Sequence, residues 1–252
     1  MSVSIKSAKE IELMREAGRL LSITHEELGK AIKPGISTYE IDRLGEEIIR
    51  SYGCIPNFLH YNGYPASICT SVNDEVVHGI PSKNRILKEG DIISLDAGLI
   101  YKGYHSDAAR THAVGEVSEE ARRLMDVTKQ CFFEGIKYAK AGNHLHEISA
   151  AIQKFAESNG FGVVRDLVGH GIGTQLHEDP QIPNFKPAGR GLKLRPGMTL
   201  AIEPMITAGH YAVRWLDDDW TVVTKDGSLA SHYENTIVIT EGEPEILTIY
   251  QE

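Results

Sequence analysis

Two aspartates, Asp96 and Asp107, fall within the segment SLDAGLIYKGYHSDAART at 94–111. The segment reads as one β-hairpin with apolar flanks (Ile92, Ile93, Leu95; Ala108, Ala109). A turn at Tyr101-Lys102 would set the two carboxylates directly opposite each other, with Cβ atoms about 5 Å apart. A turn one residue away leaves them diagonal on the same face. Ionised carboxylates this close in apolar surroundings repel and are poorly solvated. Three arrangements relieve them: a shared proton, a cationic side chain such as Arg110, or bound metal. A shared proton of the aspartic-protease kind needs an Asp-Thr/Ser-Gly loop, and neither half of the chain has one.

The pair recurs. KPGISTYEI (33–41) aligns with KAGNHLHEI (140–148) at an offset of 107 residues, and the same offset places Gly53 on Gly160. It also aligns LKEGDIISLDAGLIYKGY (87–104) with LRPGMTLAIEPMITAGHY (194–211), so that Asp96 falls on Glu203. The second carboxylate of each half is then Asp107 and, in SHYENTIVI, Glu234. Between these segments HGIP (78–81) parallels HGIG (170–173) at an offset of 92. An arginine would explain one pair of acids but not its repetition. Four carboxylates meeting on a pseudo-twofold axis match the charge of two divalent cations. His170 is the candidate nitrogen donor among 11 histidines, because the flanking glycines in VGHGIGT allow close backbone approach. Oxygen-rich ligands with one imidazole suit cobalt, manganese, iron or zinc, and not a cysteine-rich structural zinc site.

The elements that must position these groups follow from periodicity and capping. Residues 7–30 predict an amphipathic helix. Ser37 and Glu40 form a capping box ahead of a second helix with Ile41, Leu44, Ile48 and Ile49 on its apolar stripe, ending at Gly53. Strands are predicted near 66–72, 91–100 and 104–113, helices near 118–140 and 145–158, and strands near 162–168, 197–207, 219–225, 233–240 and 246–250. No low-complexity linker divides the chain. It reads as one domain over 1–252, with pseudo-repeat halves of roughly 1–113 and 114–252.

Asp96, Asp107, His170, Glu203 and Glu234, together with SVNDEVVHGIP, SLDAG, GHGIG, HEDPQIPNF and AIEPM, resemble the type I, bacterial-style methionine aminopeptidases over nearly the whole chain. The resemblance implies an α+β pita-bread fold, with pseudo-twofold halves and an antiparallel sheet covered by two pairs of helices. It implies no N-terminal extension, and the helical insertion of the type II branch has no room here. The implied function is removal of the initiator methionine from nascent polypeptides. A small second residue would be preferred, and attack would come from water or hydroxide held by the two ions. Glu203 would shuttle the water's proton, His177 would contact the scissile amide, and His78 would contact the substrate backbone or the leaving amine. Phe58, Tyr61, Tyr64, Cys69, Leu176 and Trp220 would wall the methionine pocket, with His78 and His177 also touching substrate. Leu176 stands where many members carry Phe, and Phe185 where many carry Tyr.

Composition sets the outer bounds. Hydrophobic content of 41% fits a globular core, and no apolar run could span a membrane. The first twenty residues mix both charge signs and lack a signal core, and three cysteines show no CxxC spacing, which together imply a cytoplasmic protein. A net charge of −9 argues against DNA, while leaving weak contact with a ribosomal surface open. No coiled-coil stripe is present, so a monomer is expected. The rival functions are prolidase or aminopeptidase P, a binding module that has lost its metals, and a dinucleotide oxidoreductase. The last is weak, because Gly169, Gly171 and Gly173 form GxGxG rather than GxGxxG. No GxSxG serine elbow occurs either.

Overall fold

The computed structural model describes residues 3–249. Helix α1 (Ala8–Ala31) starts at a capping box in which the Ser7 side chain accepts from the Glu10 amide, and α2 (Thr38–Ser51) repeats the device with Ser37 and Glu40. On α2, Ile41, Gly45 and Ile49 form the buried line, and Leu44 and Ile48 flank it half-buried. Helices α3 (Glu119–Ile136) and α4 (Leu145–Ser158) make the second pair. Helix α3 ends four residues before the expected 140. Beyond it the amides of Tyr138 and Ala139 bond back only three residues, to Gly135 and Ile136. Such tight turns cannot propagate an α-helix.

The main sheet is antiparallel throughout. Along its path lie Ile55–Pro56, Ile92–Tyr101, Tyr104–Ala113, Glu234–Val238, Thr199–Ile202, Gly169–Gly171 and Glu178–Ile182. The two halves meet where Tyr104–Ala113 pairs with Glu234–Val238. Two apolar clusters cover it. One joins Leu21, Leu28 and Ile41 to Ile93, Leu95 and Leu99; the other joins Leu124, Phe132 and Ile148 to Leu200, Ile202 and Ile237.

The duplication is visible in the backbone bonds. The Gly35 amide donates to the Leu87 carbonyl and Thr38 to Arg85; 107 residues on, Gly142 donates to Leu194 and Leu145 to Leu192. The isolated bridges Ser37–Ile86 and His144–Lys193 obey the same offset.

Several expected strands are shorter or divided. The segment 197–207 splits into Thr199–Ile202 and Met205–Thr207. Pro204 has no amide to donate, and beyond it the chain leaves the main sheet to pair with Ala230–His232. Segment 162–168 keeps only Gly162–Val163 as strand, and 219–225 only Val222–Thr224. The tail strand is Glu245–Ile246 rather than 246–250, and residue 250 lies outside the described residues. Short strands at Glu75–Val77, Gly169–Gly171, Glu178–Ile182 and Val213–Trp215 were not anticipated.

Candidate metal centre and peptide cavity

The hairpin turn falls at Lys102-Gly103, not Tyr101-Lys102. Tyr101 pairs with Tyr104, and the two turn residues take φ of 48° and 85°. Both are left-handed, as the primed two-residue turns of twisted hairpins require. Asp96 therefore opposes Ala109, and Asp107 opposes Gly98. The carboxylates are diagonal on one face instead of directly opposed.

The true register has a consequence across the sheet. Cys69 pairs with Asp96, Asp96 with Ala109, and Ala109 with Glu234. The pairing of Asn235 with Ile202, carried one step further, brings Glu203 opposite Glu234. One row thus crosses both halves and carries three of the four acids, and Asp107 joins it from two residues along its strand. Ala109, fully buried in the centre of the row, leaves space that a larger side chain would fill. The halves are tied at this level by the Thr236 hydroxyl, which donates to the Asp107 carbonyl at 2.8 Å.

His170 reaches the acids from the strand Gly169–Gly171. A Cβ on Gly169 would sit 2.4 Å from the Ala201 carbonyl oxygen, and one on Gly171 would sit 2.2 Å from that of Asp179. Only glycine permits these approaches. The His170 Nδ1 lies 2.9 Å from the Gly171 carbonyl, which can only accept, so Nδ1 carries the proton. The Nε2 lone pair then faces Asp107 Oδ2 at 3.7 Å and Glu203 Oε1 at 3.6 Å.

Burial and mutual repulsion raise the proton affinity of every acid here. Burial pushes Asp96 up to about 7. Asp107 is raised by burial and by the charges of Asp96 and Glu203, and Glu234 by burial and by all three other acids. Glu203 is raised by burial and by Asp96. Burial lowers His170 to about 3 and His78 to about 4. Both imidazoles are therefore neutral near pH 7, as ligands and hydrogen-bonding groups must be. Asp96 Oδ1, Asp107 Oδ1 and Glu234 Oε1 are buried with no hydrogen-bond partner among the described residues. Orphaned carboxylate oxygens facing a neutral imidazole nitrogen fit divalent cations, which would offset the cost of burying them. Arg110 does not pair with these side chains. Its guanidinium donates to the carbonyls of Ala109, Glu234 and Thr248 and to Asn235 Oδ1.

The acids open into a cavity of about 260 Å³ lined by all of the expected residues: Asp96, Asp107, His170, Glu203 and Glu234, with Phe58, Tyr61, Tyr64, Cys69, His78, Leu176, His177 and Trp220. His177 shares a 2.7 Å hydrogen bond with the Tyr61 hydroxyl and packs edge-on against His170, with ring centroids 4.3 Å apart. His78 holds φ at 60°, a conformation unusual for a non-glycine residue. The surroundings impose it: the Gly79 carbonyl accepts from the Thr70 amide at 2.9 Å and from the Tyr64 hydroxyl at 2.9 Å, and the Gly79 amide donates to Ser71 Oγ. Trp220 meets Tyr64 edge-on at 5.1 Å and is fixed by Asp218, which accepts from the amides of Trp220 and Thr221. Cys69 is buried, and burial beside Asp96 raises its thiol well above the ordinary range, which removes it as a nucleophile.

Comparison with known proteins places this geometry. The model of metallopeptidase family M24 matches residues 12–241. A methionine aminopeptidase of Clostridium acetobutylicum is 58% identical over 247 residues, covering 98% of this chain and 99% of that protein. The chain belongs to the methionine aminopeptidases of metallopeptidase family M24. Methionine aminopeptidase 1 of Bacillus subtilis is 53% identical over 96% of this chain and 98% of that protein. The crystal structure of the Thermotoga maritima methionine aminopeptidase superposes with a TM-score of 0.96 at 47% identity, covering 98% of this chain and 100% of that one. An Xaa-Pro dipeptidase of Bacillus anthracis shares the fold at a TM-score of 0.80 and 26% identity, but this chain covers only 62% of it. Membership of this family makes the chain a metal-dependent hydrolase with the pita-bread fold.

Two residues of the site escaped the sequence reading. Asn62 lines the cavity at φ 50°, and its only sequence signal is an Asn-Gly turn. His232 stands two residues before Glu234, so strand alternation alone would have put it on the same face. Phe185 lies away from the cavity, packed against the core of the second half beneath Arg165.

Proposed function

We propose that this aminopeptidase removes the initiator methionine from nascent polypeptides, preferring a small second residue. Asp96, Asp107, His170, Glu203 and Glu234 would hold two divalent ions, drawn from cobalt, manganese, iron and zinc. The observation that carries this reading is the convergence of four acids from two duplicated segments on one wall of a cavity whose other lining includes Tyr61, Tyr64, Cys69 and Trp220. When bound, such ions acidify a water and polarise the scissile carbonyl.

The remaining chemistry belongs to the chain. Glu203, lining the cavity beside the other acids, accepts the proton of the attacking water and returns it to the leaving amine. His177, held by the Tyr61 hydroxyl, donates from Nε2 to the developing oxyanion or scissile amide. His78, fixed in its left-handed conformation, contacts the substrate backbone. The pocket of aromatic rings with Cys69 and Leu176 suits one unbranched, polarizable side chain. We read the whole chain as one catalytic domain, acting as a cytoplasmic monomer on nascent chains, with at most weak contact with the ribosome. Among the described residues no helix is long and apolar enough to cross a membrane.

The test is a peptide panel run on metal-stripped protein with one ion added back at a time. Met-Ala-Ser should be cleaved only with a divalent ion present, and Ala-Pro should not be cleaved. Ala-Pro turnover, or Met-Ala-Ser turnover in chelator, would overturn the reading.

A further inference from the structure

We infer that His232 is a sixth protein ligand, giving the ion at Asp96 and Glu234 an imidazole of its own. This rests on the reading of the acid cluster as a divalent-metal centre, and it adds a residue that reading does not use. Two groups of potential donors emerge from the geometry. Ligand atoms of Asp107, His170 and Glu234 lie within 4.8 Å of one another, and so do those of Asp96, His232 and Glu234. Each group has two carboxylates and one imidazole, and Glu234 is common to both. Such a pair of groups would hold two ions that have Glu234 in common, each with a nitrogen donor.

His232 itself points to a ligand. It is 1% exposed, and neither ring nitrogen has a hydrogen-bond partner among the described residues. A buried imidazole left unpaired is costly, so an occupant that uses its lone pair is favoured. Nε2 faces the acids, 3.6 Å from Glu234 Oε2 and 4.0 Å from Glu203 Oε2. These separations are too long for hydrogen bonds and suit atoms converging on a common ion.

The backbone beneath the ring is held by the other half of the molecule. The His232 amide donates to Thr111 Oγ1 at 3.1 Å and Ser94 Oγ at 3.3 Å, and its carbonyl accepts from Thr111 Oγ1 at 2.8 Å. Ser94 lies two residues from Asp96 on the same strand, so one contact fixes His232 and Asp96 relative to each other. With Nε2 toward the ion, the ring proton sits on Nδ1.

The experiment titrates cobalt(II) into metal-stripped wild type and His232→Gln by calorimetry, with X-ray absorption at two equivalents of cobalt. Wild type should bind two ions and show about one imidazole per cobalt. The variant should keep one ion at its original affinity, bind the other at least about tenfold more weakly, and lose half of the imidazole scattering. Two unchanged affinities with an unchanged imidazole signal would overturn the proposal while leaving the metal centre intact. A wild type that binds no cobalt would overturn the centre itself. Should the variant fail to fold, the proton spectrum of cobalt-loaded wild type decides. Two hyperfine-shifted exchangeable ring N–H signals, from His170 and His232, support the sixth ligand, and one overturns it.

Discussion

The two His-Gly-Ile segments of this chain show how backbone conformation redirects one short motif. His170 sits in extended strand with its Nε2 among the acids. His78, in the parallel segment of the first half, is turned to φ 60°, and its ring lies 6.3 Å from that of Trp220. The difference traces to what surrounds each motif. Strands flank His170 on both sides, whereas the His78 loop hangs from Tyr64, Thr70 and Ser71. A duplicated histidine thus serves two places in one cavity. The carboxylate pairs diverge in the same manner. The first half keeps an unbroken hairpin, Ile92–Tyr101 with Tyr104–Ala113, and uses short aspartates. In the second half the strands ending at Ile202 and beginning at Glu234 are separated by a second small sheet and the Trp220 loop, and the acids there are the longer glutamates. The hairpin half supplies the aspartates and most of the pocket wall, and the opened half adds the glutamates and Trp220.

The sharpest way to break this comparison is to remove each histidine in turn. His170→Ala should release metal, read by atomic absorption, and cut kcat/KM by more than about 100-fold. His78→Ala should keep its metal and lose about 10–100-fold in kcat/KM, the scale of a substrate hydrogen bond. Equal metal loss in both variants would erase the distinction between the two motifs. His177→Ala tests whether a histidine touching His170 is itself a ligand: kcat should fall about 10²–10³-fold with metal content unchanged.

Smaller effects probe the opened half. Trp220→Ala removes one ring of the pocket and should raise KM for methionyl peptides about tenfold, while metal affinity stays at the wild-type value in calorimetry.

The least effect is one of stability. Asp96 titrates near 7 in the fold and near 3.9 unfolded, so the folded state holds this proton more tightly. Raising the pH between about 4 and 7 then costs the folded state, because ionised Asp96 is buried beside other acids. Metal-stripped Asp96→Asn should melt with wild type at pH 4 and a few degrees above it at pH 8. Adding cobalt should reverse the order. A melting difference that does not depend on pH would show that burial does not strain this carboxylate.

Much of this molecule was legible in its sequence because the signals are local or repeated. The capping box at Ser37 fixed the start of the second helix, since the cap needs only residues three apart. A constant offset revealed the duplication, and its hydrogen bonds recur at that offset in space. Residue type and the repeat together selected the acids, because few environments tolerate four carboxylates in apolar strands, and the flanking glycines singled out His170. What only the tertiary structure decided is where chains cross. The hairpin turn moved one residue because Lys102 and Gly103 can both take left-handed backbone, and that step gave Asp96 the partner Ala109 in place of Asp107. The break at Pro204 and the conformation of His78 depend on packing within their own halves, and the turning of His232 toward the acids depends on Ser94 and Thr111 of the other half. Short-range pattern specifies which groups are available; contacts between residues far apart in sequence determine which of them meet.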